Sequence, residues 1–96
     1  MAESFQIDYS DEAFADLKTL RVYDQRMILD AIALHLSFEP AKESRSRIKA
    51  MAQPFWSHYR LRVDDFRVYY DIDDATRTVS VLRVLEKSGE TPQEPP

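Results

Sequence analysis

The sequence predicts an α+β domain in which a twisted antiparallel sheet packs on an N-terminal helical hairpin. Apolar residues alternate with polar ones near the N-terminus and again in the second half of the chain, with the period of two that a half-buried strand requires. Between these segments, apolar residues recur every three or four positions, as on the buried stripe of a helix. The elements follow the order strand, two helices and three-stranded meander. In this arrangement the helical hairpin covers one face of the sheet, and the other face stays open.

The N-terminal part of the chain is predicted to form one strand and two helices. Residues 4–9 alternate strictly and form the strand. Ser10 is a typical helix N-cap, and the two acidic residues after it oppose the positive end of the helix dipole. The first helix then extends to about Leu20, and a second covers about residues 24–37 before Pro40 ends it.

The second half of the chain is predicted to form a meander. Residues 41–55 are irregular, with a short strand at about 47–50. A hairpin follows from residue 56 to residue 73, with its turn at residues 64–65. The last strand, about residues 78–85, is apolar on both faces, so it is either central in the sheet or bulged near Leu82.

Length and composition favour one intracellular domain. Residues 1–87 are expected to form a single domain, because 96 residues support one core, and the Pro-rich residues 88–96 are expected to be a disordered tail. The absence of cysteine fits a reducing compartment, and the chain has neither a signal peptide pattern nor a membrane-length apolar run. We therefore expect a cytoplasmic protein.

The charge of the chain is unevenly distributed. The net charge of −4 argues against nucleic-acid binding, which normally requires surplus Lys and Arg. Residues 45–67, however, carry six basic side chains against two acidic ones. This island is either a solvated face or a local phosphate-binding surface. Its basic members are Arg45, Arg47, Lys49, Arg60, Arg62 and Arg67.

The predicted hairpin register brings three arginines onto the open face. Arg62 lies opposite Arg67, and Arg60 lies opposite Tyr69. Like charges opposite each other destabilise a hairpin, so a compensating anion is indicated. Phosphate fits the guanidinium fork, and Tyr69 could stack on a base. The alternative is that the arginines pair with nearby aspartates or with an acidic partner protein.

The sequence gives weaker signals for a catalytic histidine, a metal site or a nucleotide-binding loop. His58 is either a general acid or base, or a surface residue paired with Asp71. The acids at residues 71–74 lack the ligand spacing of a calcium loop, so no metal site is expected. The only glycine is Gly89, which excludes a glycine-rich phosphate loop and, with it, nucleotide hydrolysis. No cofactor is expected.

Three segments resemble the RelE/ParE family of toxins from type II toxin–antitoxin systems. They are residues 59–63 (YRLRV), 66–72 (FRVYYDI) and 79–84 (VSVLRV), and the match extends over about residues 5–87. The resemblance implies the predicted fold and an antitoxin that wraps the toxin as its partner. RelE-like members enter the ribosome and cut messenger RNA without a metal, by attack of the RNA 2′-hydroxyl on the adjacent phosphate.

When the family's functional residues are placed on the matching positions of this sequence, the resemblance implies catalytic roles for Arg60, Arg62, Arg67 and Lys87. We further assign RNA binding to Arg47, Lys49, Tyr69 and Arg83. The chain departs from the family where Lys87 replaces the usual arginine, where Asp64 replaces the usual turn glycine, and at the C-terminus, which has no catalytic tyrosine.

Three functions remain open at this point. The first is ribosome-dependent cleavage of messenger RNA. The second is inhibition of DNA gyrase by protein contact, as in the ParE branch, which shares the fold. The third is a toxin that has lost its activity and only binds its antitoxin.

Overall fold

The computed structural model describes residues 4–87, which form five strands and two helices. The predicted disorder of residues 88–96 lies outside the described residues. In chain order the elements are β1 (Gln6–Tyr9), α1 (Asp11–Lys18), α2 (Val22–Leu36), β2 (Ile48–Ala50), β3 (Tyr59–Val63), β4 (Phe66–Asp73) and β5 (Thr78–Glu86). The α+β fold class is therefore confirmed, including the short strand expected near residues 47–50.

The strands form one sheet in the order β1-β5-β4-β3-β2. Three of the four pairings are antiparallel, whereas β1 runs parallel to β5, with Ile7 opposite Val79. The connection between β1 and β5 contains both helices and strands β2 to β4, which gives the long path that a parallel pairing requires. The helices lead from β1 at one edge of the sheet to β2 at the other edge, and the following strands return the chain until β5 lies beside β1.

The helical hairpin packs on one face of the sheet. Ser10 caps α1 as predicted, since its Oγ accepts a hydrogen bond of 3.0 Å from the backbone N–H of Ala13. The same hydroxyl donates to the carbonyl of Leu82 at 2.8 Å and so ties the helix to β5. Both helices contribute to the core, and their buried side chains are Ala13, Leu17, Ile28, Ile32 and Leu36.

The last strand is both central and bulged. β5 lies between β1 and β4, and the register shifts so that Tyr69 pairs with Arg83 while Tyr70 pairs with Val81. Leu82 is thus the extra residue of a β-bulge. The two alternatives left open by the apolar pattern are therefore both present.

The β3–β4 hairpin has the predicted two-residue turn. Val63 pairs with Phe66, and Asp64 takes a positive φ of 50°. Aspartate tolerates this left-handed region better than most residues. In the described part of the chain, no helix is long and apolar enough to cross a membrane.

Candidate functional site

A basic pocket opens on the sheet face opposite the helices. The register brings Arg62 opposite Arg67 and Arg60 opposite Tyr69, as the hairpin pattern predicted. The pocket has a volume of about 110 Å³. All six basic residues of the island line it, together with Glu43: Arg45, Arg47, Lys49, Arg60, Arg62 and Arg67. The residues that the sequence analysis grouped by charge are therefore grouped in space.

One wall of the pocket is the segment that leads into β2. Ser44 organises it, because its Oγ accepts from the backbone N–H of Arg47 at 3.1 Å, and its N–H donates to the carbonyl of Ile48 at 3.0 Å. The segment is joined to β3 by a hydrogen bond of 2.8 Å from Arg62 N to Arg47 O. These backbone contacts hold Arg47 beside the hairpin arginines although its own side chain is exposed.

The arginines of the hairpin have no anionic partner within the described residues. The Nε atoms of Arg60 and Arg67 are buried without a hydrogen-bond acceptor. The nearby aspartates are engaged elsewhere: Asp71 accepts from His58 N at 2.7 Å, and Asp73 accepts from two backbone N–H groups in the following turn. The interpretation that these aspartates neutralise the arginines is therefore wrong.

The pocket holds its positive charge at an energetic cost. Burial lowers the pKa of Arg60, and the neighbouring positive charges of Arg67 and Arg62 lower it further. A guanidinium stays charged at neutral pH even so. A buried, unpaired donor is unfavourable unless a ligand or water accepts its hydrogen bond. An anion with several oxygens would relieve both the repulsion and the missing acceptors.

Tyr69 does not present an open ring. It is only 2% exposed, because Trp56 lies over it with ring centroids 4.8 Å apart and Phe55 lies 6.2 Å away. The expectation that Tyr69 itself stacks on a base is thus corrected. Tyr70 does face the core, as predicted, and stacks on Tyr59.

Arg83 is not part of the basic pocket. Its guanidinium forms two hydrogen bonds with Asp16 of α1, from Nε to Oδ2 at 2.7 Å and from Nη2 to Oδ1 at 2.9 Å. The hydrogen bond with Asp16 raises the pKa of Arg83. The carboxylate also accepts from Val84 N at 2.9 Å, at the edge of β5 beyond its pairing with β1. The RNA-binding role assigned to Arg83 is replaced by a structural one.

Two further residues lie away from the pocket lining. The backbone N–H of Lys87 bonds the carbonyl of Asp65 in the hairpin turn, so this residue is near the turn rather than in the pocket. His58 Nδ1 lies 3.5 Å from Asp71 Oδ1, which is the surface pairing given as the alternative to catalysis. Within residues 4–87, no cluster of acidic or histidine side chains could hold a metal ion.

Sequence reasoning missed two features of this face. Glu43 lines the pocket, but its carboxylate lies in an irregular segment without a periodic pattern. Phe55 and Trp56 form the aromatic cover, and their adjacent bulky rings just before β3 were the available signal. We call Phe55, Trp56 and Tyr69 the aromatic cluster.

Comparison with solved structures supports the fold over most of the chain. The toxin–antitoxin complex RelBE2 from Mycobacterium tuberculosis contains a chain 25% identical to this one, with a TM-score of 0.73, covering 86% of this chain and 98% of that one. A chain of the archaeal RelE–RelB complex from Pyrococcus horikoshii OT3 is 17% identical, with a TM-score of 0.71 and coverages of 88% and 96%. A mutant of the Escherichia coli toxin RelE in the free state is 18% identical, with a TM-score of 0.65 and coverages of 93% and 87%.

At the level of sequence, no curated protein matches the chain. A family model does match, over residues 7–90, and it describes the ParE toxin of the type II toxin–antitoxin system parDE. The match includes both helices and all three motifs that suggested the resemblance. The chain therefore belongs to the ParE toxin family of type II toxin–antitoxin systems, within the RelE/ParE group that its motifs predicted.

Proposed function

We propose that this protein is a toxin that arrests translation by cutting messenger RNA on the ribosome. The observation that carries the proposal is the basic pocket, in which Arg60, Arg62 and Arg67 converge without an anionic partner in the described chain. Guanidinium groups bind phosphate oxygens through paired hydrogen bonds and match the charge that develops on a phosphate under attack.

The chemistry requires little beyond positioning and charge. The 2′-hydroxyl oxygen of the RNA attacks the adjacent phosphorus, the bond to the 5′-oxygen breaks, and a 2′,3′-cyclic phosphate and a 5′-hydroxyl result. One proton leaves the 2′-hydroxyl and one is added to the 5′-oxygen. Arg60, Arg62 and Arg67 would stabilise the extra negative charge of the transition state.

The pocket also offers a proton acceptor. Glu43 lines it, and its Oε1 is fixed by a hydrogen bond of 3.0 Å from Ala50 N. Its other oxygen is available to accept the 2′-hydroxyl proton. We therefore expect Glu43→Gln to lower the cleavage rate without abolishing RNA binding.

A protein partner and a compartment complete the proposal. Two of the similar solved structures are toxin–antitoxin complexes, and we propose that this chain is likewise neutralised by an antitoxin. The exposed basic side chains Arg45, Arg47 and Lys49 suit an acidic segment of such a partner. Ribosomes and messenger RNA place its activity in the cytoplasm.

The test is cleavage of a defined message in a bacterial cell-free translation reaction, with the ends mapped by primer extension. The wild-type protein should cut within codons occupied by ribosomes. Arg67→Ala should not, and Arg67→Lys should be strongly impaired because lysine keeps the charge but loses the planar fork. Arg26→Ala, which removes an exposed charge from α2, is the matched control and should cut normally.

Gyrase inhibition is the second candidate, and the family match favours it. A further observation also favours it: His58 and Tyr69 do not line the basic pocket, and the Tyr69 ring is covered, so neither side chain is positioned to protonate the 5′-oxygen. An intact message with normal translation, together with loss of gyrase supercoiling by the same preparation, would establish this alternative. Failure of both assays would indicate a toxin that only binds its antitoxin.

A further inference from the structure

The aromatic cluster lies on the open face of the sheet, and its three rings form a triangle. Trp56 contacts both other rings, with centroids 5.0 Å from Phe55 at an interplanar angle of 26° and 4.8 Å from Tyr69. Phe55 also lies beside Tyr69, with centroids 6.2 Å apart, so each ring neighbours the other two. Phe55 and Trp56 are half-buried, whereas Tyr69 is covered.

The loop that carries Phe55 and Trp56 is held by its own hydrogen bonds. The side-chain amide of Gln53 donates to the carbonyls of Met51 and Ser57, at 3.2 and 3.1 Å, and accepts from Phe55 N at 3.4 Å. Ser57 is 1% exposed, and its hydroxyl donates to the carbonyl of Tyr59. The rings are thus positioned in advance, which lowers the entropic cost of binding a ligand against them.

The aromatic cluster adjoins the basic pocket. Tyr69, the buried member of the cluster, pairs directly with Arg60 across the hairpin. Arg67 precedes Tyr69 by two positions on the same strand and therefore lies about 7 Å away along the same face. An unstacked nucleotide spans a similar distance from its phosphate to its base.

Stability alone does not account for the placement of Trp56. Its indole Nε1 is buried without a hydrogen-bond acceptor in the described chain, as are the Nε atoms of Arg60 and Arg67. Buried donors without acceptors are rare in folded proteins, and a ligand that accepts their hydrogen bonds would account for them. The unsatisfied groups of this face therefore lie in one contiguous area.

We propose that the exposed surface of the Phe55 and Trp56 rings binds an unpaired base of the RNA strand whose phosphate occupies the basic pocket. Bases of single-stranded RNA bind proteins by stacking on aromatic rings, and phosphates bind to adjacent cationic side chains. The inference rests on the proposed function, because it takes RNA as the ligand of the arginines. It adds a base-binding subsite to that phosphate site.

The chain contains its own reporter for this subsite. Trp56 is the only tryptophan, so intrinsic fluorescence reports the environment of the aromatic cluster. The purified protein is titrated with a short single-stranded oligoribonucleotide carrying a fluorescent label at one end, and anisotropy of the label measures binding independently of Trp56. Binding should change the tryptophan emission in parallel with the anisotropy.

A series of matched oligonucleotides, each lacking one base at a different position, separates base contacts from phosphate contacts. One position of the abasic site should weaken binding about tenfold or more and remove the change in emission, since one stacked base contributes about that much. Phe55→Leu, which keeps the reporter and the apolar volume, should weaken binding of the intact strand by a similar factor. It should bind the abasic strand as the wild type does.

The outcomes distinguish the inference from the proposed function. If no RNA binds by anisotropy, the base subsite is overturned, whereas the proposed function is overturned only if the message also stays intact in the cell-free translation reaction. A second outcome is that RNA binds and Arg67→Ala weakens the binding, but the base makes no contribution. In that case the wild type binds every abasic strand as tightly as the intact strand, and Phe55→Leu binds the intact strand as tightly as the wild type does. Only the base subsite is then overturned. The abasic series keeps the test decisive even if Phe55→Leu does not fold.

Discussion

Tyr69 and Tyr70 are neighbours in β4, yet their side chains lie on opposite faces of the sheet and have opposite surroundings. Tyr70 lies in the core, and its hydroxyl donates a hydrogen bond of 2.6 Å to the carbonyl of Pro40. Burial raises its pKa, so the hydroxyl stays protonated and remains a donor. Tyr69 instead lies among rings and guanidinium groups that lack acceptors. The helix-covered face has internal partners that the open face lacks.

The arginines show the same contrast. Arg83 reaches Asp16 and forms two hydrogen bonds, with both side chains largely buried. Arg60 and Arg67 have like charges as neighbours and buried Nε atoms without acceptors. The structural Arg83 therefore finds its hydrogen-bond acceptors within the chain. Arg60 and Arg67, which we assign to an external ligand, do not find them among the described residues. Stability and activity should depend on different members of this set.

The largest effect is expected for cleavage by hairpin variants. Arg60→Ala and Arg62→Ala should each lower the cleavage rate about 100-fold or more, the usual result of removing one donor that stabilises transition-state charge. Arg83→Ala should leave the rate per folded molecule within about twofold. Rates are measured in the cell-free reaction, and folded protein is quantified by circular dichroism. Equal losses in all three variants would contradict a division of roles among the arginines.

The next effect concerns the stability that the ion pair between Asp16 and Arg83 provides. Asp16→Ala should lower the free energy of unfolding by about 2–3 kcal/mol, because it leaves the Arg83 guanidinium and the Val84 N–H without their acceptor. Urea denaturation measures the change. Lys42→Ala is the control, since it breaks an exposed ion pair with Glu39 that contributes at most a few tenths of a kcal/mol. Equal effects for the two variants would show that Asp16 is not structural.

A smaller loss is expected when the core tyrosine loses its hydroxyl. Tyr70→Phe should lower the free energy of unfolding by about 1–2 kcal/mol, because the buried carbonyl of Pro40 then lacks a donor. Thermal unfolding followed by circular dichroism measures it. Tyr23→Phe on the exposed surface of α2 should cause no change. An unchanged melting temperature for Tyr70→Phe would mean that another donor replaces the hydroxyl.

Most of the fold was predictable because it depends on local patterns. Alternation located β1, β3 and β4, an apolar run on both faces located β5, and the three- and four-residue spacing located both helices to within about two residues at their ends. The parallel pairing of β1 was not predicted, since a strand's alternation does not depend on the direction of its neighbour. The direction of β1 relative to β5 depends on the whole connection between them, two helices and three strands, which sequence periodicity does not describe.

The site was predictable only where the hairpin register determined it. The pairing of Arg62 with Arg67 followed from counting residues across the turn. The role of Arg83 was missed because its partner, Asp16, is 67 residues away in the chain. The covering of Tyr69 was missed because Phe55 and Trp56 reach it from an irregular loop. Long-range contacts of single side chains leave no periodic signal.

The smallest effect tests whether the hairpin arginines contribute to folding at all. Arg62→Gln removes the charge directly opposite Arg67 and should leave the free energy of unfolding unchanged or raise it by a few tenths of a kcal/mol. Thermal unfolding at low ionic strength without phosphate measures this. Added inorganic phosphate should then raise the melting temperature of the wild type more than that of the variant, because ligand binding to the native state stabilises it.

A loss of more than about 1 kcal/mol in Arg62→Gln would mean that the arginine supports the hairpin. The contrast between the two faces would then be one of degree. If Arg62→Gln retains stability but loses cleavage, the repulsion between Arg62 and Arg67 slightly destabilises the free protein. Binding of the phosphate then relieves that repulsion. The absence of an internal partner would then be the property that leaves these side chains available to bind phosphate.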